Sequence, residues 1–183
     1  MTGEQLGRTI TRIAHEILEK NTGVESLAVV GIHTRGVFLA RRLHTILKDI
    51  AGREIPYGEL DIAFYRDDVA VGSFGVVPVS PNPVVKNTDL TFPVDDATVV
   101  LIDDVLYTGR TIRAATDALF DYGRPRRVQL AVLVDRGHRE LPIRPDYIGK
   151  NMPTSQNERV EVRLTEVDGV DEVALVRLDE GGE

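Results

Sequence analysis

With 183 residues, 42% of them hydrophobic and 28% charged, the chain is long enough to bury a substantial core, and one domain is the natural expectation. It has no cysteine, which excludes disulfides, thiolate metal sites and a thiol nucleophile. The net charge of −7 argues against indiscriminate nucleic-acid binding, and with no apolar run approaching about twenty residues and no signal-peptide pattern a cytoplasmic protein is expected.

In chain order, Thr2 and Gln5 have capping-box spacing, and Leu6, Ile10, Ile13 and Ile17 form an apolar stripe at helical period. This predicts a helix over about 3–20, stopped by Asn21 and Gly23. Its other side carries Arg8, Thr11, Arg12 and His15, three or four apart and so on one face. Such a face is either merely solvated or made for an anion. Leu27 to Ile32 reads as a buried strand running into Gly31, His33, Thr34, Arg35 and Gly36, after which Leu39, Ala40, Leu43, Ile46, Leu47 and Ile50 recur as in a helix. Neither the Walker lysine spacing nor GxGxxG is present. A short loop with glycine at both ends and an arginine between can close around a diphosphate with backbone N–H groups and guanidinium turned inward.

Leu60, Ile62 and Phe64 alternate with Asp61, Ala63 and Tyr65 as a third strand, and residues 66–93, rich in Gly and Pro and without sustained period, read as a β-hairpin flap over a site. Thr98 to Thr111 is the stretch around which the rest makes sense. Val99 to Ile102 end in Asp103 and Asp104, and a Gly-containing turn then opens a helix through Ile112, Ala115, Leu119 and Tyr122, ended by Gly123 and Pro125. Two adjacent carboxylates at the edge of an α/β sheet, beside the unpaired N–H groups of a helix start, describe a site for a phosphorylated sugar; an N-capped, solvated βα loop is the plain alternative.

Val128 to Val134 is a fourth strand, ending in Asp135, Arg136, Gly137, His138 and Arg139; an irregular segment with Pro142, Pro145 and Pro153 follows to about 157. Residues 124–150 hold seven Lys or Arg against three acids, a balance of +4 that leaves −11 to the remainder. Such segregation points to an anionic partner for one surface, or to a solvated loop within an oligomer. Residues 159–164 and 173–178 alternate about Val167, Asp168 and Gly169, a hairpin pattern. Strands alternating with helices predict a mostly parallel sheet covered on both faces, with a small cap from about 138–183.

The segment 99–111 resembles the signature with which type I phosphoribosyltransferases bind 5-phosphoribosyl 1-diphosphate, and the GIHTRG segment at 31–36 resembles their pyrophosphate loop. A narrower resemblance spans nearly the whole chain. TRIAHEI at 11–17, LDIAFYRDD at 60–68, LIDDVLYTGRT at 101–111 and LAVLVDRGHRELPIRPDYIGKNMPTS at 130–155 are similar to the bifunctional pyrimidine operon regulators with uracil phosphoribosyltransferase activity. The sequence departs from that pattern mainly over 69–90, and at His33, where the family pattern has Lys.

The resemblance implies transfer of phosphoribose to uracil, giving UMP and diphosphate, with Mg²⁺ carried mainly on the substrate's own oxygens. Asp103, Asp104 and Arg35 would be catalytic. Thr34, Val105, Leu106, Tyr107, Thr108, Gly109, Arg110, Thr111, Arg136 and Val160 would complete the substrate site, with Val160 in a hood over the base. It further implies a UMP- or UTP-responsive grip on a stem-loop in pyrimidine-operon leader RNA, through Thr11, Arg12, His15, His138, Arg139, Arg144 and Lys150, and a homodimer or larger homo-oligomer. Two groups singled out from the residues, the helix face and the basic segment, are those the family uses. Arg35 favours retained catalysis, because a sensor of UMP alone has no use for a diphosphate loop. A purine or orotate phosphoribosyltransferase without RNA regulation is the competing reading.

Overall fold

The computed structural model describes residues 1–21, 24–63, 65 and 88–177. Helix α1, Gly3–Lys20, begins at the expected capping box: the Thr2 hydroxyl accepts from the Gln5 amide, and the Gln5 side chain accepts from the Thr2 amide at 2.9 Å. Its stripe of Leu6, Ile10, Ile13, Ala14 and Ile17 is buried. Asn21 ends it, donating through Nδ2 to the Ile17 carbonyl and to Gln129 and Tyr147 on the sheet.

Six strands form the main sheet: β1 Leu27–Ile32, β2 Tyr57–Leu60, β3 Asp89–Leu90, β4 Thr98–Leu106, β5 Arg127–Asp135 and β6 Tyr147–Asn151, in the order β3-β2-β1-β4-β5-β6. All pairings are parallel except β2 with β3. Strands β1, β4 and β5 lie in the middle and are covered on both faces, which explains their unbroken Val, Leu and Ile runs. One core layer packs α1 and α2, Arg35–Ala51, onto one face through Ile10, Leu39, Leu43, Val100 and Leu133. The other packs α3, Arg110–Phe120, through Leu101, Ile112, Ala115 and Leu119.

The remaining chain forms the hood, an antiparallel pair of β7, Glu158–Arg163, and β8, Glu172–Arg177. A single helical turn, α4 at Thr165–Asp168, joins them, with Gly169 at φ 73° closing it where the sequence read simply as a hairpin turn. Three other sequence readings change. The strand expected from Leu60 onward lies earlier, at 57–60, where it pairs with β1; Phe64 and the flap residues 66–87 fall outside the described residues. The segment read as irregular to about 157 contains β6, whose Tyr147 is buried while Lys150 and Asn151 are exposed, so an edge strand shows no run of apolar residues. Asp103 and Asp104 do not end their strand, which continues to Leu106.

Gly36 lets α2 start against β4. A Cβ there would stand 2.4 Å from the Ile102 carbonyl oxygen and 3.2 Å from the Asp103 Cα. Gly36→Ala is therefore expected to cost about 1–3 kcal/mol of stability by overpacking, seen as a fall of roughly 2–12 °C in the melting temperature of a chain this size.

The hood is tied to α2 by Arg42, whose guanidinium donates to both Asp171 oxygens at 2.8 Å and to Glu166. These bonds pull the Asp171 carboxyl down to about 2 against the opposing effect of burial, and also lower Glu166. Because the folded values lie below the unfolded ones, this clamp is fully present above about pH 4 and is lost as pH falls towards 2. Amide protection factors in β7 and β8, taken against the intrinsic exchange rate at each pH, should therefore fall across that window, and Arg42→Ala should remove most of that pH dependence.

Candidate active site

The parallel topology delivers the carboxyl ends of β1, β4 and β5 to one edge. From β1 the chain passes through His33 and Thr34, joined by a cis peptide, to Arg35 at the start of α2. The His33 Nε2 lies 3.4 Å from Glu59, which also takes Arg41 and the Tyr57 hydroxyl. Burial raises the Glu59 carboxyl, but the bonds from Arg41 and Tyr57 outweigh it and leave it below the usual range. Thus His33 sits beside the one carboxylate of β2, which Arg41 and Tyr57 share.

On β4, Asp103 is buried and its Oδ1 accepts from the Asp104 amide at 2.9 Å, while the Asp104 Oδ1 accepts from the Val105 amide at 2.8 Å. Burial pushes the Asp104 carboxyl above the usual carboxylate range; hydrogen bonding with Asp103 and the Val105 amide and the charge of Arg35 only partly oppose this. Asp104, Arg35 and the hood residues Arg159, Val160, Glu161, Val162, Arg163 and Asp168 line one cleft of about 390 Å³. Beyond Leu106 the turn of Tyr107, Thr108 and Gly109 opens α3, with Gly109 at φ 95° as its N-cap. Gly109 has no side chain to cap this helix, and the Arg110 amide donates instead to the Thr108 hydroxyl at 3.3 Å; a helix start of this kind, with amides and a hydroxyl together, suits an anion.

The segment after β5 is built onto that turn. The Arg136 amide donates to the Leu106 carbonyl, and the Glu140 and Leu141 amides both donate to the Thr108 carbonyl, at 3.0 and 3.1 Å. Arg136 is buried: its side chain donates to Thr154 and to the Glu158 carbonyl of the hood, and its guanidinium lies 4.1 Å over the Tyr107 ring. Arg139 donates to the carbonyls of Tyr107 at 2.6 Å and Ile143 at 3.0 Å and to Asp135 at 2.6 Å. Its fork is used within the chain, as a brace behind the turn. Arg110 pairs with Glu140 at 2.6 Å across the same contact.

The residues assigned to RNA gather beside the edge strand β6. Arg12 reaches from α1 to the Ile148 and Gly149 carbonyls and to Glu16, and lines a cleft of about 360 Å³ with Arg8, Gln5, Gly149 and Lys150. Thr11 turns its hydroxyl to the Gly7 carbonyl, and His15 is exposed one turn along. A broader groove of about 780 Å³, also bordered by β6, is lined by His138, Arg139, Arg144 and Ile148. Helix face and basic segment, 130 residues apart in the chain, thus flank one strand. Asp168, Glu59 and Arg42 went unnoticed in the sequence; each acts through an ion pair between distant elements, which leaves no periodicity to read.

Known proteins agree with this architecture. The family model described as the phosphoribosyl transferase domain matches residues 2–166. The chain is 55% identical over 174 residues to a bifunctional protein PyrR of Acetivibrio thermocellus, covering 95% of this chain and 91% of that protein. It is 54% identical over 175 residues to the protein of the same name from Deinococcus radiodurans, covering 96% and 92%. Among solved structures, the hypoxanthine phosphoribosyltransferase of Trypanosoma cruzi superposes with a TM-score of 0.67 at 17% identity over 97% of this chain and 94% of that one, a likeness of fold. The chain, a mostly parallel sheet with a small antiparallel hood, belongs to the phosphoribosyl transferase domain family.

Proposed function

We propose that the protein transfers phosphoribose from 5-phosphoribosyl 1-diphosphate to uracil, giving UMP and diphosphate, and that it binds pyrimidine-operon leader RNA in response to UMP or UTP. The observation that carries the enzymatic half is the single cleft in which Asp104 and Arg35, from neighbouring strand ends, face the hood just ahead of the helix start of α3.

Displacement at the anomeric carbon develops positive charge on the ribose and negative charge on the departing diphosphate, and the protein gains rate by stabilising both more strongly than in the ground state. Asp104 accepts from the ribose hydroxyls on the cationic side, with Asp103 fixing its backbone and sharing the hydroxyl contact. Thr34 and Arg35 take the leaving charge. The turn Thr108 to Thr111 binds the 5′-phosphate through amide and hydroxyl groups. Uracil lies against Tyr107 beneath Val160, and Arg136 holds that aromatic ring from behind. Mg²⁺ arriving on the substrate's diphosphate would be held mainly by that ligand's own oxygens beside Thr34 and Arg35, and would supply charge neutralisation of the leaving group. As the bond to the anomeric carbon forms, uracil's attacking nitrogen acidifies and its proton leaves to water or to the departing diphosphate, so positioning supplies much of the acceleration without a dedicated side-chain base.

The RNA half rests on the two basic groups that flank β6. Arg12, Arg139, Arg144 and Lys150 neutralise phosphates, while Thr11, His15 and His138 meet unpaired bases. A homodimer that joins two such faces gives a surface long enough for a stem-loop. The test is one preparation assayed twice: for transfer with uracil, purine bases and orotate, and for leader-RNA binding with and without UMP. Uracil alone should be turned over, and UMP should tighten RNA binding. Turnover of a purine or orotate instead, or RNA binding indifferent to UMP, contradicts the corresponding half.

A further inference from the structure

Arg35, the cation of the diphosphate loop, already has a carboxylate partner. Its Nη2 donates to both oxygens of Asp168 in the hood, at 3.0 and 3.3 Å, while its Nε is buried with no hydrogen-bond partner. Asp168 is fixed in turn: its Oδ2 accepts from the Leu164 amide at 2.9 Å, closing the turn that ends at Gly169. Both side chains line the cleft that holds Asp104. Both carboxylate oxygens thus lie on one guanidinium nitrogen, a charge-assisted contact that a phosphate oxygen of an entering ligand could replace.

We propose that Asp168 is a specificity-determining residue, an internal carboxylate that competes with the substrate's diphosphate for Arg35 and so sets the affinity of the site for diphosphate-bearing ligands without touching its affinity for UMP. The inference rests on the reading of Arg35 as the diphosphate contact. When the ligand enters, Arg35 exchanges Asp168 for phosphate oxygens and its Nε gains an acceptor. The freed Asp168 keeps its bond to Leu164 and repels the same negative charge, which speeds release of the leaving diphosphate. UMP has no group at this position, so it binds with the Arg35–Asp168 pair intact. One residue thereby separates the substrate from the product that signals to RNA.

The test uses the full chain with Asp168→Asn, which removes the charge but retains an oxygen for the Leu164 amide, and with Asp168→Glu to restore the charge. Calorimetric titration with magnesium diphosphate and with UMP is read beside the KM for 5-phosphoribosyl 1-diphosphate. A partly exposed pair sets a modest scale, so Asp168→Asn should tighten diphosphate and lower that KM by about two- to fivefold, with UMP affinity and melting temperature unchanged and Asp168→Glu shifted back towards the parent. Diphosphate affinity that stays the same or weakens in Asp168→Asn, while Arg35→Ala abolishes it, overturns the competition and leaves the loop assignment standing. If Arg35→Ala leaves diphosphate affinity intact, the loop assignment fails and the competition with it. Equal tightening of UMP and diphosphate also overturns the proposal, because it marks a general change in hood packing.

Discussion

Asp104→Asn is expected to reduce uracil transfer by tenfold or more, a loss of at least about 1.4 kcal/mol of transition-state stabilisation, while leader-RNA affinity changes far less. Asn has the same size and can still accept from the Val105 amide, as the Asp104 carboxylate does, so the backbone of β4 keeps its course. What disappears is the negative charge beside a ribose that becomes cationic as diphosphate leaves. That charge is half-buried in the cleft, and the desolvation raises its protonation tendency; it matters most where water screens it least. The effect should therefore fall on kcat/KM through kcat rather than on KM alone. Parallel loss of transfer and of RNA binding would show instead that Asp104 supports the fold of both surfaces.

Arg139→Ala should damage both activities. The resemblance places Arg139 among the RNA contacts. In the structure its guanidinium bonds to the Tyr107 carbonyl on one side and to Asp135 and Ile143 on the other, which makes it the brace of the phosphate turn as well as part of the basic groove. Charged hydrogen bonds of this kind are worth about 1.5–3 kcal/mol, so we expect transfer to fall by about tenfold or more and RNA binding to weaken as well. Arg139→Lys separates a phosphate contact from a brace. Lysine keeps the charge but cannot span three acceptors with a planar fork, and it should resemble Ala in the transfer assay. Full transfer activity in Arg139→Lys would contradict the brace.

The comparison between the two arginines shows what a sequence conveys and what it does not. Arg35 is legible because its surroundings are local: a buried strand, two glycines and a helix start lie within a few residues of it, and the structure puts it at the cleft. The same holds for the helix of Thr2 and Gln5 and for β4 and its turn, whose apolar runs and caps are set by near neighbours. The bracing bonds of Arg139 are not legible in the sequence because its partners are fixed only by tertiary placement. Asp168 is missed for the same reason, 133 residues from the guanidinium it holds. Strand β6 escapes because an edge strand with one buried residue, a mid-strand glycine and two exposed residues at its end carries little hydrophobic pattern. Its discovery unites the two basic groups, which the sequence presents as separate surfaces.

The central claim is that Asp103 and Asp104 grip a sugar's hydroxyls while the turn Thr108 to Thr111 secures its phosphate. A crystal structure of the protein with 5-phosphoribosyl 1-diphosphate and Mg²⁺ tests it most directly. Ribose hydroxyl oxygens are expected within hydrogen-bond distance of the Asp104 carboxylate, the 5′-phosphate on the amides that open α3, and Arg35 turned from Asp168 onto the diphosphate. A sugar bound elsewhere, or carboxylates at 103 and 104 that make no contact with it, would contradict the account.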